Sequence, residues 1–596
     1  MLKFNILDYG ILLFYFFVVV AIGFFQRTKA SKNLFSFFSA NRDYSWIWVG
    51  TSLVATTFSA DTPLAVAGIT ANKGISGNWF WWSWVLTYVT IAIFYSKMWW
   101  RSQIITDVEF TEIRYSGKEA SILRFIKAFY FSIVLNGIIL GWVFLSIKKI
   151  LIPFIDTEHS LEWFRSLYPD SLLIGDYSQT LVLLVLVLIV ILYASFSGVR
   201  GGILNDMLQF VVAMGGSIFF AFYAVNNIGG IQTLKAKILE IYPTDSEKIL
   251  SFLPDFREMG FVLFVYFSFQ WWAQYYSDGT GYILQRMNTA KSEKDAQLGA
   301  LWFSFANFVI RTWPWVFIGL VGLVLFPKEE NQCTIEWCKL VLQDRELVFP
   351  VLIEVFFSGS IWKGILVMGL FAAFMSTAET HLNWGASYIA NDFYKRFLKP
   401  KASDKELIRM SKLGILLMAI IGLWVASKMN TISDAWKFLI SISAGIGIPQ
   451  MIRWFWWRVN PYTELSGMIS SFILSLFFYG FFPHWNSETI LFLIAMVSTC
   501  ISLAVTMLTK PSDRDTLEYF FKKVQPYGWW KPISGKTSLK PFLKDLFLWI
   551  LGNIGILSFM LSIGYFIFSE YLYFLISFII SLITGTPVLV ILSRRS

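Results

Sequence analysis

Residues 371–381 read FAAFMSTAETH, an apolar stretch that then sets Ser376, Thr377, Glu379, Thr380 and His381 nearly in a row. On a helix, Ala373, Ser376, Thr377 and Thr380 fall at i, i+3, i+4 and i+7 and share one narrow face, which Trp384 and Ser387 continue. A face of small side chains and hydroxyls suits close helix packing in a membrane. It also suits a monovalent cation held weakly by hard oxygens, where a divalent ion would recruit carboxylates. A second stretch, VGTSLVATTFSADTPLAVAG at 49–68, bears on the choice. Pro63 has no amide to offer the Ser59 carbonyl, and it pushes residue 62 out of helical geometry. The helix is therefore expected to break between Phe58 and Thr62. Carbonyls freed there cannot face lipid, so the break must be buried in protein or line a wet cavity. Asp61, ionisable and at membrane depth, marks the break as a functional candidate. Carbonyls from this helix and the Ser376 and Thr377 hydroxyls from the other form a ligand set for an alkali cation.

Such residues need a membrane-spanning frame, and the composition supplies it. Of 596 residues, 56% are hydrophobic and 15% charged, and the mean hydropathy of +0.59 excludes a soluble domain. Apolar runs of about 20 residues, the length that crosses a bilayer, recur throughout and predict about fifteen spans. They fall near 7–25, 46–70, 76–100, 125–153, 179–196, 204–227, 258–277, 299–327, 362–392, 408–427, 434–458, 465–483, 488–509, 546–568 and 570–592. The net charge of +10 does not point to nucleic acid, because the cations are spread over the loops near 26–45, 101–124, 278–298, 393–412 and 510–545. These loops are expected on the cytoplasmic side. An odd number of spans then puts the N-terminus outside and the C-terminus inside, with the first span retained rather than cleaved. Three cysteines exclude a disulfide framework. Cys333 and Cys338, in an outside loop, either form one local bridge or stay free, and Cys500 is expected as a small core residue. No linker divides the chain, so one membrane domain is predicted. The basic, amphipathic insertion 510–545 fits a membrane-surface helix or a solvated connector.

The pair SLVATTFSADTPLAVAG and GLFAAFMSTAETHLNWGAS resembles the sodium:solute symporter family, which includes the sodium-coupled proline, pantothenate and glucose transporters. VEFTEIRYSG (108–117), FSGVRGGILNDMLQ (196–209), GYILQRMNTAKSEKDA (281–296) and IPQMIRWFWWRVNP (448–461) agree, in the family's order, over residues 1 to about 510. The resemblance implies an all-α, polytopic, leucine-transporter-like fold with two inverted five-helix repeats, each opening with a discontinuous helix. The repeats would be 46–227 and 258–458, preceded by a peripheral helix and loop at 1–45 and followed by peripheral helices over 465–596. It further implies sodium on the carbonyls of Ala55, Phe58 and Ala373 and the hydroxyls of Ser376 and Thr377. Asp206 would lie on the sodium exit path, a position that equally fits a helix cap. The solute would sit beside the ion, against Ser59, Asp61 and Thr62 of the second span and Gln270, Trp271 and Gln274 of the seventh. Arg311 either meets an acidic solute bidentately or pairs inside the protein. Tryptophan faces suit a sugar ring, a pyrrolidine or a cation, or simply pack. The amide pair that sugar carriers show before "QR" is absent from SDGTGYILQR, so sugar specificity is not supported, and the proline carriers' pattern is not reproduced either.

The expected function is sodium-coupled symport of a small polar organic solute by alternating access, across the plasma membrane, the inner membrane in a bacterium. Sodium is the coupling ion; solute, sodium and lipid are the partners; no cofactor and no catalytic residue are expected. Glu379 stands where many members carry Asp or Ser, which opens a proton-coupled variant on the same fold. A membrane-embedded enzyme using Glu379 and His381 is the remaining alternative. It is the weaker one, since the three histidines, His159, His381 and His484, have no second group placed to complete a site.

Overall fold

In lipid a backbone must satisfy its own donors and acceptors, and apolar runs of this length can do so only as helices. In the computed structural model, which describes residues 3–30, 32–155, 161–329, 331, 333, 336–535 and 539–594, twelve helices are long and apolar enough to cross a membrane. His159 lies outside the described residues. Three further predicted spans are present in pieces. Span 2 is split into Trp46–Phe58 and Asp61–Lys73. Span 3, over 75–102, carries a wide π turn at Ile91–Tyr95. Span 7 runs Phe256–Val265, passes through a π turn at Tyr266–Gln270, is irregular over 271–281 and ends in the short helix Tyr282–Met287. Spans 5 and 6 are two helices, Tyr177–Phe196 and Gly198–Asn227, that meet at a sharp kink at Gly198. There φ is +50°, and a Cβ would lie 2.5 Å from the Phe37 carbonyl oxygen, so glycine is required.

Span 2 lies along span 8 (Glu293–Leu325) on both sides of its break. Glycines allow the approach: a Cβ on Gly50 would sit 2.4 Å from the Gly299 carbonyl, and one on Gly319 2.6 Å from that of Ala67. Span 9 (Ile361–Leu398) runs against span 6 (Gly198–Asn227) and also touches the first half of span 2.

Many cations of the basic loops are buried in ion pairs. Lys127 at the start of span 4 (Gly117–Phe154) and Arg453 after span 11 (Ile432–Ile452) both reach Glu464, at 2.5 and 3.2 Å. Arg453 also pairs with Asp278 of the irregular segment at 2.7 Å. Nearby, Arg124 and Arg396 converge on Glu112 at 2.6 and 2.8 Å. Burial raises the Glu112 pKa, but hydrogen bonds from Arg396, Ser121 and Arg124 outweigh it and hold the carboxyl at about 2, below its ordinary 4.5. A depressed carboxylate stabilises the fold at neutral pH, and that contribution is lost as pH falls from about 4.5 towards about 2. Melting curves in detergent should show Glu112→Gln with a flatter decline across that window; an acid limb identical to wild type would refute the assignment.

Cys333 and Cys338 form a disulfide. Cys500, expected in the core, is exposed on Ser487–Leu508; a membrane helix is apolar on its lipid side too, so hydropathy does not tell the two faces apart. The 510–545 insertion is not a free connector: its helix Arg514–Val524 buries Leu517, Phe520 and Val524 and packs against the end of span 3 and the short loop helix Phe110–Arg114.

Candidate functional site

The break in span 2 organises the site. Trp46–Phe58 ends at Ser59, whose φ of +43° turns the chain out of the helix, and the next helix begins at Asp61. Pro63 sits in that first turn, where its missing amide costs no helical bond. Asp61 lies at the helix start, where the peptide dipoles favour a negative charge. The last carbonyls of the first half have no further turn to bond. One of them, Thr56 O, accepts from the Thr377 hydroxyl at 2.6 Å, and Thr377 also reaches the Ala373 carbonyl at 3.2 Å. Thr56 and Thr380 meet through their hydroxyls at 3.0 Å. The hydroxyl stripe of span 9 thus faces the broken end of span 2, with Ala55, Phe58, Ala373, Ser376 and Thr377 all buried there.

Asp206 joins them from span 6. It accepts from Ser376 at 2.6 Å and from Ser52 at 2.5 Å. It stands well inside the helix Gly198–Asn227, so the reading of it as a helix cap does not apply. Arg286, from the short helix that closes span 7, puts Nη2 3.3 Å from Asp206 and 2.9 Å from Glu379, and it also donates to Thr380. Two carboxylates and one guanidinium, all essentially inaccessible, therefore share one cluster. Sequence reasoning quoted Arg286 within a motif without giving it a role, because nothing in local spacing ties residue 286 to 206 and 379.

Beside this cluster lies a cavity of about 130 Å³. Ser59, Asp61 and Thr62 of span 2, Gln274 of span 7 and Arg311 of span 8 line it, and Thr377 and His381 reach it from span 9. Gln270 and Trp271, expected with them, do not. Gln270 donates to the Phe80 carbonyl at 2.6 Å. Trp271 packs on Trp549 with ring centroids 5.6 Å apart and lines a separate apolar cavity. The reason is the loss of α-helical phase at the π turn and beyond, so positions 270, 271 and 274 no longer share a face. The sequence reading also missed most of the aromatic wall. Trp84, Trp142 and Trp436 form a layer, with Trp436 6.0 and 6.5 Å from the other two. Trp436 separates the cavity from a polar vestibule of about 550 Å³ that holds Lys73, Lys149, Asp344 and Glu346. Towards the basic loops, Tyr275, Tyr276 and Tyr282 close the other side, with Trp384 stacked on Tyr275 at 5.8 Å.

Glu379 and His381 do not form an acid–base pair. Glu379 is bound to Arg286 and Asn383, while His381 Nδ1 meets Asn136 Oδ1 at 2.7 Å.

A model of the sodium:solute symporter family matches residues 171–471. The chain is similar to sodium/glucose cotransporter 1 of Oryctolagus cuniculus, at 23% identity over 79% of this chain and 72% of that one. It is similar to the sodium/glucose cotransporter of Vibrio parahaemolyticus, at 22% identity over 86% and 92%, and to sodium/myo-inositol cotransporter 2 of Homo sapiens, at 25% over 79% and 69%. Among solved structures, the substrate-bound outward-open state of a Na⁺-coupled sialic acid symporter superposes with a TM-score of 0.66 at 18% identity, covering 86% of this chain and 99% of that one. That likeness shows a leucine-transporter-like fold. With about half of its length matched by the family model, and transporter relatives aligned well beyond those limits, the chain belongs to the sodium:solute symporter family and is a sodium-coupled secondary active symporter.

Proposed function

We propose that sodium binds between the carbonyls of Ala55, Phe58 and Ala373 and the hydroxyls of Ser376 and Thr377, and that the solute occupies the adjoining cavity against Ser59, Asp61, Thr62, Gln274 and Arg311. The observation that carries this reading is Thr377. Its hydroxyl bonds the broken end of span 2 and its side chain also lines the solute cavity. An ion that fixes Thr377 and the span 2 carbonyls shapes the solute site at the same time, which is a coupling free energy between two ligands. Asp206, bonded to Ser376, lies on the ion's way inward.

The basic loops face the cytoplasm on this reading, with the N-terminus outside. The vestibule then opens outward, and the Arg453, Glu464 and Asp278 ion pairs close the inner side. Repeats at 46–227 and 258–458 draw support from their irregularities. Each opens with a broken span, and π turns recur in the second span of each (Ile91–Tyr95, Ala306–Ile310) and in the third (Tyr130–Leu135, Tyr388–Leu398). The solute is a small polar organic molecule, in keeping with relatives named for glucose, myo-inositol and sialic acid. The reading includes no chemical step. Proton coupling remains as a second reading because of one observation, the buried Glu379 beside Arg286.

Melting of the purified protein in sodium, against potassium or choline, tests the ion site. Binding to the folded state alone stabilises by RT ln(1 + [L]/Kd), about 2.7 kcal/mol at a hundredfold excess over Kd. Wild type should gain in sodium, while Ser376→Ala and Thr377→Ala should lose both the gain and sodium-driven uptake. A sodium response intact in both variants defeats the ligand assignment. A response to pH alone, removed by Glu379→Gln, transfers the coupling to protons.

A further inference from the structure

The solute cavity holds one carboxylate and one guanidinium that the protein leaves unpaired with each other. Asp61 is 2% exposed and interacts with the buried Ser59 hydroxyl beside it, but neither Asp61 Oδ1 nor Ser59 Oγ completes a hydrogen bond of good geometry. Arg311, 3% exposed, is held by Nε to the Asn307 carbonyl at 3.2 Å and by Nη1 to the Thr57 hydroxyl at 3.3 Å and the Val54 carbonyl at 3.5 Å, with its guanidinium 5.3 Å from the Trp315 ring centre. Among the described residues its Nη2 makes no hydrogen bond. The two charges line the same cavity and feel each other's field, yet no ion pair joins them.

We propose that the transported solute is a zwitterion, an α-amino acid or close analogue whose ammonium is taken by Asp61 and Ser59 and whose carboxylate is taken by Arg311. The inference rests on the placement of the solute site in this cavity. Buried charges are costly unless compensated, and each class of solute compensates them differently. A neutral sugar offers hydrogen bonds but no counter-charge to either group. An anion answers Arg311 and adds repulsion at Asp61; a cation does the reverse. A zwitterion answers both and keeps the site neutral, so complementarity selects it against all three. The size of the cavity, about 130 Å³, and the rings of Trp81, Trp84 and Trp142 around it fit a small molecule with a compact apolar or ring side group.

The test uses the full-length protein in detergent, melted in sodium and in choline with the twenty common amino acids, glucose and myo-inositol. For each hit, the amine lacking the carboxylate and the acid lacking the amine are added. The expected result is protection by a zwitterion in sodium, with each singly charged analogue weaker by about tenfold or more, since each lacks a charge-assisted contact. Asp61→Asn should weaken the amino acid while sparing the deaminated acid, and Arg311→Gln should spare the decarboxylated amine. The analogue series on wild type decides the matter even where a variant fails to fold. Protection by glucose or myo-inositol with none from any zwitterion overturns the proposal, as does an analogue that binds as tightly as its parent. No zwitterion protection at millimolar concentration, with the sodium response intact, overturns it too and leaves the sodium site standing. Zwitterion protection without any sodium response sustains the solute class and removes the sodium site.

Discussion

Exchange of Arg286 for glutamine is expected to cost the protein about 3–5 kcal/mol, the range for removing one partner from a buried ion pair. The guanidinium stands between Asp206 and Glu379 with essentially no access to solvent, and it also donates to Thr380. Without it two carboxylates face each other in a dry interior. The double variant Arg286→Gln, Glu379→Gln removes one of those carboxylates and should recover most of the lost melting temperature, which separates a charge effect from loss of packing. Asp206 keeps its bonds from Ser52 and Ser376 in that double variant, so sodium-dependent stabilisation should partly return. An Arg286→Gln protein that melts with wild type would show that the cluster is not held as described.

Gly447→Ala is expected to cripple transport. A Cβ on Gly447, within Ile432–Ile452, would lie 1.8 Å from the Trp272 carbonyl oxygen. That oxygen belongs to the irregular segment of span 7, so the clash is with backbone and cannot be relieved by a rotamer change. Overpacking of this kind costs about 1–3 kcal/mol, and here it pushes span 11 away from the segment that presents Gln274 to the cavity. Gly480→Ala is the control: a Cβ there has nothing within 4 Å, and alanine is the better helix former. Uptake assays in proteoliposomes should show a large loss for the first and none for the second. Wild-type uptake by Gly447→Ala would mean that spans 7 and 11 are not seated in this way.

How much of this could be read in the sequence depended on the range of the signal. Spans follow from runs of about 20 apolar residues, a local property, and all the predicted spans are present, three of them in pieces. The break at Ser59 was legible because Pro63 forbids a regular helix there. The break in span 7 was expected only from the resemblance, as the helix that opens the second repeat; its position was not legible, since 258–277 contains no proline and the local marks are Gly279 and Gly281, both at positive φ in the structure. Gln270 and Trp271 were placed beside the solute by their position in the motif, which does not tell where side chains turn once a π turn shifts the helical phase. Residues brought together by tertiary structure were the least legible. Trp84, Trp142 and Trp436 come from three spans, as do Asp206, Arg286 and Glu379, and with a single sequence no spacing rule links them.

The Asp206, Arg286 and Glu379 cluster has an electrical consequence. With both carboxylates ionised it carries one net negative charge at membrane depth, and one sodium on the proposed site neutralises the core. Voltage then acts on the empty carrier and hardly on the loaded one. An inside-negative potential pushes a negative core outward, with about 2.3 kcal/mol available per elementary charge moved across 100 mV. The resting cell would thus spend its membrane potential on resetting the empty transporter to face outside, and the inward step with its cargo would run nearly free of the field.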